Sequence, residues 1–538
     1  MKRLSMVIAL VCGAFILGAC NKFLDIKPED FLTPTQYYEN EKQLNNALNA
    51  VYSILGHYTT YGREMPRMGL DGDDGFYNVV NTLTGVQIYD VAATDTKVGD
   101  FWKTLYSGIH RANLLLANLE RSEAIPVETK NHVKGEALFL RSYFYFLLVS
   151  NFGGVPYLTE TTQDVHIPRT PAREVYENII ADMELAETLV LPIREIGHGG
   201  RVSKSAVRGI LARVNLFMAG YPVKDETRYK EARKWAKMVM DDQEANHQLN
   251  PDFKQIFINY AADKYDIGES IWEVEFYGNH RDVYREGGQI GAYNGIRYVG
   301  LTVGGVLTVD PNYGYSLGMV NASGTLWDKY ADPSSLVSPD LRRDWTIAPF
   351  SVAGVPAVET PRPIEQIYQR NAGKYRRQYE VLMPKDNQYT PINFPLLRYA
   401  DVLLMFAEAD NYINDAPMDD RYDAINRVRR RGYGLPVDLA APGVDLQGLS
   451  PDGFLKELQN ERSRELSFEN LRKGDLVRWG IFMDKMGDAL DHAQQAGLPP
   501  SMSHAITYFE NASARDVLWP IPSYEMGVNL ELEQNIGW

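Results

Sequence analysis

Val133-Lys134-Gly135-Glu136-Ala137-Leu138-Phe139-Leu140-Arg141-Ser142-Tyr143-Phe144-Tyr145-Phe146-Leu147-Leu148-Val149-Ser150 predicts a helix, and Phe152-Gly153-Gly154-Val155-Pro156 ends it. Outward from it, helical spacing recurs at Leu44, Ala47, Leu48, Val51, Tyr52 and Leu55, and again at Phe101, Leu105, Ile109, Ala112, Leu115, Leu116 and Leu119. Further helices are predicted over 172–190, 203–218, 229–240, 395–411, 422–431 and 451–469, separated by Pro and Gly. Small residues (Ala112, Gly135, Ala137, Ala206, Gly209, Ala212) sit where neighbouring helices must approach closely. Paired helices with such contacts predict tetratricopeptide-like stacking, although no strict repeat is visible.

Residues 268–390 read differently. Gly287, Gly288, Gly291, Gly295, Gly300, Gly304 and Gly305 alternate with aromatics, which predicts loops and short strands; Ile271 to Phe276 alternates as a half-buried strand does. The predicted fold is mainly α: a tetratricopeptide-like α-superhelix carrying a large loop-rich, aromatic-rich insertion and a few short strands. Its segments are a signal peptide (1–19), an N-terminal helical scaffold (20–267), the insertion (268–390) and a C-terminal helical segment completing the scaffold (391–538).

Lys2 and Arg3 precede the apolar run Leu4–Ala19, which ends in Leu17-Gly18-Ala19-Cys20 and turns polar at Asn21; this is a secretory leader, too short to span a membrane. The 538 residues carry 55 Lys and Arg against 70 Asp and Glu, a net −15, which becomes −17 once Lys2 and Arg3 leave with the leader. A surface this acidic disfavours nucleic acid and anionic small substrates. The only cysteines, Cys12 and Cys20, lie in the first twenty residues, so the body has no disulfide, thiolate zinc site or catalytic thiol.

Catalytic patterns fail on context. Gly314-Tyr315-Ser316-Leu317-Gly318 matches a nucleophile elbow but lacks the entering strand and leaving helix. Asp71, Asp73 and Asp74 are weak cation ligands, because Gly75 holds a ligand position and Thr82 the closing one; a solvated acidic turn fits better. The nine histidines show no metal-binding spacing, and no phosphate-binding glycine motif is present, so no metal and no cofactor are expected. A pair of glycosidase carboxylates is not decided by sequence.

Aromatics make up 11% of the chain, and tyrosine leads with 33. Tyr and Trp combine an apolar face with a polar edge, which complements a pyranose ring. The loop-borne Tyr284, Tyr293, Tyr298, Tyr313, Tyr315 and Trp327, with Phe76, Tyr77 and Tyr89, are therefore candidate ligand contacts, and Arg63, Asn78, Asn294 and Arg297 candidate hydroxyl partners. Trp102, Tyr106, Tyr143 and Trp235 fall on helical stripes and are assigned to the core.

Leu17 to Cys20 resembles a bacterial lipobox, which implies acylation of Cys20 and a lipid anchor. Phe23 to Pro28, Phe101 to Tyr106 with Ile109 and Asn113, Glu136 to Tyr145 with Phe152 to Pro156, Leu397 to Leu404 with Ala407 to Ala409, Ile425 to Arg429, Glu461 to Arg472, and Trp519 to Pro522 with Asn535 resemble, in order, the SusD/RagB-like nutrient-binding lipoproteins. The resemblance implies one SusD-like fold, lipid-tethered at the outer membrane and surface-exposed. It implies a lid over a SusC-like TonB-dependent transporter that captures glycans and releases them without chemistry. A peptide-binding member of the same class, or a lipid-anchored glycoside hydrolase, are the alternatives. Glu136 and Arg141 on one helix, and Arg398 with Glu408, are expected to form scaffold ion pairs rather than ligand contacts; the resemblance transfers no ligand aromatics.

Overall fold

The computed structural model describes residues 37–280, 285–413 and 418–538. The leader, Cys20 and Tyr284 lie outside the described residues.

The helices begin where short polar side chains can satisfy the first free backbone N–H groups. Asn40 caps α1 (Glu41–Tyr52), Asp95 caps α2 (Thr96–Asn118) and Ser203 caps α5 (Lys204–Ala219). α3 (Val127–Phe152) and α4 (Ala172–Leu189) instead start after Pro126 and Pro171. With α6 (Arg228–Met240), α2 to α6 pack each on the next. α3 is buried almost all round, from Ala137 to Val149, because α1, α2 and α4 all cover it. The small residues sit at closest approach: a Cβ added at Gly135 would stand 2.8 Å from Leu189 Cβ, and one at Gly209 would stand 2.3 Å from Leu397 Cδ2.

After α7 (Phe253–Ala261), the chain enters β2 (Ser270–Val274), and it returns through β10 (Phe394–Arg398), which pairs antiparallel with β2. Four further two-stranded pairs and short helical turns make up the intervening segment and its contacts: β3 (Tyr277–Gly278) with β4 (Arg285–Glu286), β5 (Leu301–Val303) with β6 (Val306–Thr308), β8 (Phe350–Ala353) with β9 (Val358–Pro361), and β7 (Val320–Ala322) with β1 (Gly75–Tyr77). α8 (Tyr399–Tyr412) then packs on α6 and α5, so the superhelix resumes across the insertion; α9 (Met418–Gly432) and α10 (Pro451–Leu466) pack on α8. α11 (Arg472–Arg478), α12 (Phe482–Gln495) and α13 (Ser503–Asn511) follow, α13 packing on β1 and on the turn at Val86–Ile88, and a last short helix lies at Ser523–Val528. Among the described residues no helix is long and apolar enough to cross a membrane.

Two local expectations change. Residues 395–398 are strand, not helix, because β2 offers a partner edge and α8 starts only at Tyr399. β2 is fully buried rather than half-buried: Trp272 packs edge-on against Phe139 and Tyr143 of α3, with centroids 5.0 and 4.7 Å away.

Where insertion meets scaffold, charges are buried in a continuous network. Arg342 donates to Asp340, Glu461 and Glu465, while Arg398 bonds Glu269, Glu465 and Glu469. Lys374 meets Glu469, and Arg431 meets Glu465. Burial by itself would raise the Glu465 carboxyl, but Arg431, Arg398 and Arg342 outweigh it and hold the group down at about 2. Glu136, Arg141 and Glu408 are scaffold residues too, but the expected pairs are replaced: they meet Arg201, Asp182 and Arg478, which lie nearer in the folded chain, while Arg398 is taken up by Glu269, Glu465 and Glu469.

Candidate functional site

Residues 62–78 run beneath the insertion, and β1–β7 pairing holds the two together. Strand alternation sends Phe76 inward and leaves Tyr77 half-buried at the surface. Gly318 (φ 61°) turns the facing chain; a Cβ there would stand 2.6 Å from Arg297 Cβ. The turn places Met319, which becomes the centre of a polar and aromatic platform.

Arg67 Nη1 lies 2.9 Å from Met319 Sδ, and its guanidinium sits 4.6 Å from the Tyr293 ring centroid. The Tyr77 hydroxyl approaches the same sulfur at 3.6 Å. Backbone bonds lock the pieces: Asn78 N–H to Met319 O and Met319 N–H to Tyr293 O, both 2.7 Å. Asn78 Nδ2 donates to Asn321 Oδ1 at 3.1 Å, and Arg297 Nη1 to Leu317 O at 2.9 Å. Arg67 Nε donates to Arg63 O, and Arg63 stacks on Tyr58, 5.2 Å from its centroid. Burial raises the Tyr77 hydroxyl above its ordinary range, so it stays a hydrogen-bond donor.

Arg63 also borders a cleft of about 1250 Å³ between the end of α1, α2 and the base of the insertion. Tyr58, 47% exposed, and Tyr389, stacked on His280 at 3.5 Å, give it aromatic surface. Lys103, Arg111, Arg201, Asp100, Glu275 and Glu286 line it with both signs of charge. At its floor, burial first and then Glu275 push the Glu273 carboxyl up to about 7, against bonds from Ser270 and Asn393. Burial and then Arg111 lower the His57 imidazole.

Of the sequence candidates, Tyr77, Asn78, Tyr293, Arg297 and Arg63 come together here. Others do not. Phe76 and Tyr89 are buried in the cluster made with Phe482, Tyr508 and Phe509, and the Tyr89 hydroxyl donates to Gly69 O. Trp327 is 1% exposed between the guanidiniums of Arg343 and Arg370, and Asn294 is buried, donating to Pro66 O. Tyr298 is buried, its hydroxyl donating to Gly354 O; Tyr313 packs edge-on against it and bonds Glu359. The Tyr315 carbonyl accepts from Arg377. The hydroxyl bonds of Tyr298 and Tyr313 anchor their loops, and Tyr315 is half-buried.

Asp71, Asp73 and Asp74 form neither a cation loop nor a solvated turn. They are buried; Arg472 grips Asp73 bidentately at 2.6 and 2.9 Å, and Lys329 bonds Asp73 and Asp74. Ser316 of the elbow-like motif is 2% exposed in a bridge to Tyr298, and the motif's glycines serve turns with positive φ. Sequence reasoning missed Tyr58, Arg67, Met319 and Tyr389. Arg67, four residues after Arg63, was detectable; nothing local links it to Met319, 252 residues away.

Residues 22–216 match the SusD-like family described as starch-binding and associating with the outer membrane, and residues 357–538 match the SusD family. A SusD-like protein of Formosa agariphila is 24% identical over 527 residues, covering 90% of this chain and 92% of that one. A SusD homolog from Bacteroides thetaiotaomicron superposes with TM-score 0.82 at 27% identity, over 94% of this chain and 98% of its own. Surface glycan-binding protein A from the same organism, in complex with laminarihexaose, gives TM-score 0.68 at 20% identity, over 92% and 99%. The helical superhelix, its interruption and the matches at both ends agree, and the chain belongs to the SusD/RagB family.

Proposed function

We propose that this chain is a cell-surface glycan-binding lipoprotein, anchored through Cys20, that captures oligosaccharides at the Met319-centred platform. It passes them to a SusC-like TonB-dependent transporter of the outer membrane without catalysing any reaction on them. The observation that carries the reading is the platform itself. The Tyr77 and Tyr293 rings are half-buried with an edge at the surface, Arg67 and Met319 fix their orientation, and Asn78, Arg297 and Arg63 surround them with hydrogen-bonding groups. A sugar ring offers an apolar C–H face to such rings and hydroxyls to such donors. The adjoining cleft extends the platform for a chain longer than one residue. A relative of the same fold holds laminarihexaose.

The test is affinity electrophoresis and calorimetry of the lipid-free protein against a polysaccharide panel and a peptide pool. Binding to a glycan without release of reducing ends is expected. Tyr77→Ala/Tyr293→Ala is expected to weaken it at least about tenfold, roughly 1.4 kcal/mol, with unchanged circular dichroism. Undiminished affinity in that variant refutes the platform. Binding confined to peptides would move the protein to a peptide-capturing role.

A further inference from the structure

A second cavity, of about 600 Å³, opens on the helical scaffold. Its walls are the end of α5 and the turn after it, the starts of α6 and α12, the end of α8, and α11, with two residues near 515; no residue of 268–390 lines it. It is therefore separate from the platform.

Five aromatic residues line this cavity, Phe482 and four that present polar-edged rings. Tyr229 and Tyr412 stack face to face, centroids 4.0 Å apart and planes within 7°. Tyr229 is buried beneath, and Tyr412 is 39% exposed. Trp479 is held from behind: its Nε1 donates to Glu408 at 2.8 Å, and the Arg478 guanidinium lies 4.8 Å from its ring centroid. That guanidinium is already occupied by Glu408 and Asp475, so it is no free charge for a ligand. Tyr221, 41% exposed, is fixed by its N–H bond to Arg478 O. Lys224, Glu226 and Asp484, of mixed sign, complete the lining.

A single exposed aromatic needs no explanation, but several oriented rings around one concavity with polar groups among them do. The size falls within the ~300–1,000 Å³ usual for small-ligand sites. We propose that this cavity is a second saccharide-binding pocket, taking a short neutral oligosaccharide whose C–H face lies on the Tyr412–Trp479 aromatic wall and whose hydroxyls meet Lys224, Glu226 and Asp484. The proposal shares its ligand class with the function proposed above but not its site. Two separated sites on one rigid scaffold would let a long glycan engage both, raising retention of polymer over oligomer without any new contact.

The test is fluorine NMR of protein labelled with 5-fluorotryptophan, with the Trp479 resonance assigned through Trp479→Phe. It is made in the Tyr77→Ala/Tyr293→Ala background, so the platform does not contribute. Maltohexaose, laminarihexaose, cellohexaose, xylohexaose and mannohexaose are each titrated to millimolar concentration. A saturable shift of the Trp479 resonance with at least one of them is expected. It should be lost in Tyr221→Ala and in Met483→Arg, an exposed position at the pocket where substitution leaves the core intact. No shift with any saccharide, or a shift unaltered by both substitutions, overturns the pocket. A response only to a peptide pool overturns the ligand class. The platform reading fails independently, by undiminished polysaccharide binding of the Tyr77→Ala/Tyr293→Ala variant.

Discussion

Glu273 sits where β2 reaches the floor of the cleft, 3% exposed, with its carboxyl raised to about 7 mainly by burial. Below about pH 4.5 folded and unfolded chains both hold this proton, and the contribution of the neutral acid is complete. Between about 4.5 and 7 the unfolded chain releases the proton while the folded chain keeps it, so stability falls as pH rises. Above 7 both are ionised and the loss is finished. Glu273→Gln can keep the bonds to Asn393 and Ser270 and has no proton to lose. Chemical denaturation at pH 4.5 and pH 8 should therefore show the variant gaining up to about 3 kcal/mol on wild type between the two values. Parallel pH profiles for the two proteins would show that Glu273 is ionised in the fold throughout. Asp73, by contrast, is held well below the carboxylate range: burial opposes ionisation, and Arg472 and Lys329 overcome it. It contributes nothing to this window.

Helix packing depends on the glycines that bring backbones together. Gly209 of α5 faces Leu397 of β10 so closely that a methyl group has no room. Gly209→Ala is expected to cost about 1–3 kcal/mol through overpacking. In a double-mutant cycle with Leu397→Ala, the smaller partner should recover part of that cost; strict additivity would mean that the two side chains do not meet. Gly487 of α12 is the contrast, exposed and with nothing within 4 Å of an added Cβ. There Gly487→Ala should raise stability by about 0.5–1 kcal/mol, read from the urea midpoint, because only the helix-entropy term remains.

Across the whole molecule, Glu465 receives Arg342 from the insertion, Arg398 from β10 and Arg431 from α9, and it is fully buried. A buried ion pair adds little over well-packed apolar groups, but removing one partner strands the others. Glu465→Gln is expected to lower stability by about 3–5 kcal/mol. Because its partners come from both insertion and scaffold, calorimetry should show a single transition at lower temperature. A split into two transitions would mean that the insertion and the superhelix unfold separately and that the network does not couple them.

The helical periodicity of residues 41–55, 133–150 and 203–218, the stops at Gly153-Gly154 and the small residues at Gly135 and Gly209 are local properties of the chain. From them the sequence by itself determined the superhelix and its paired helices, while the ordered motifs from Glu136–Tyr145 to Trp519–Pro522 carried the family resemblance. It also marked Tyr77, Asn78, Tyr293, Arg297 and Arg63 by chemistry. Only the tertiary structure decided which aromatics keep an exposed edge. Trp327 and Tyr293 look alike in a loop-rich sequence, yet Arg343 and Arg370 enclose one, while the other, beside Arg67, is only half-buried. In the same way Asp73 reads as a solvated acid until Arg472, 399 residues on, arrives to bury it. Burial depends on partners far away along the chain, and no local pattern of residues carries their arrival.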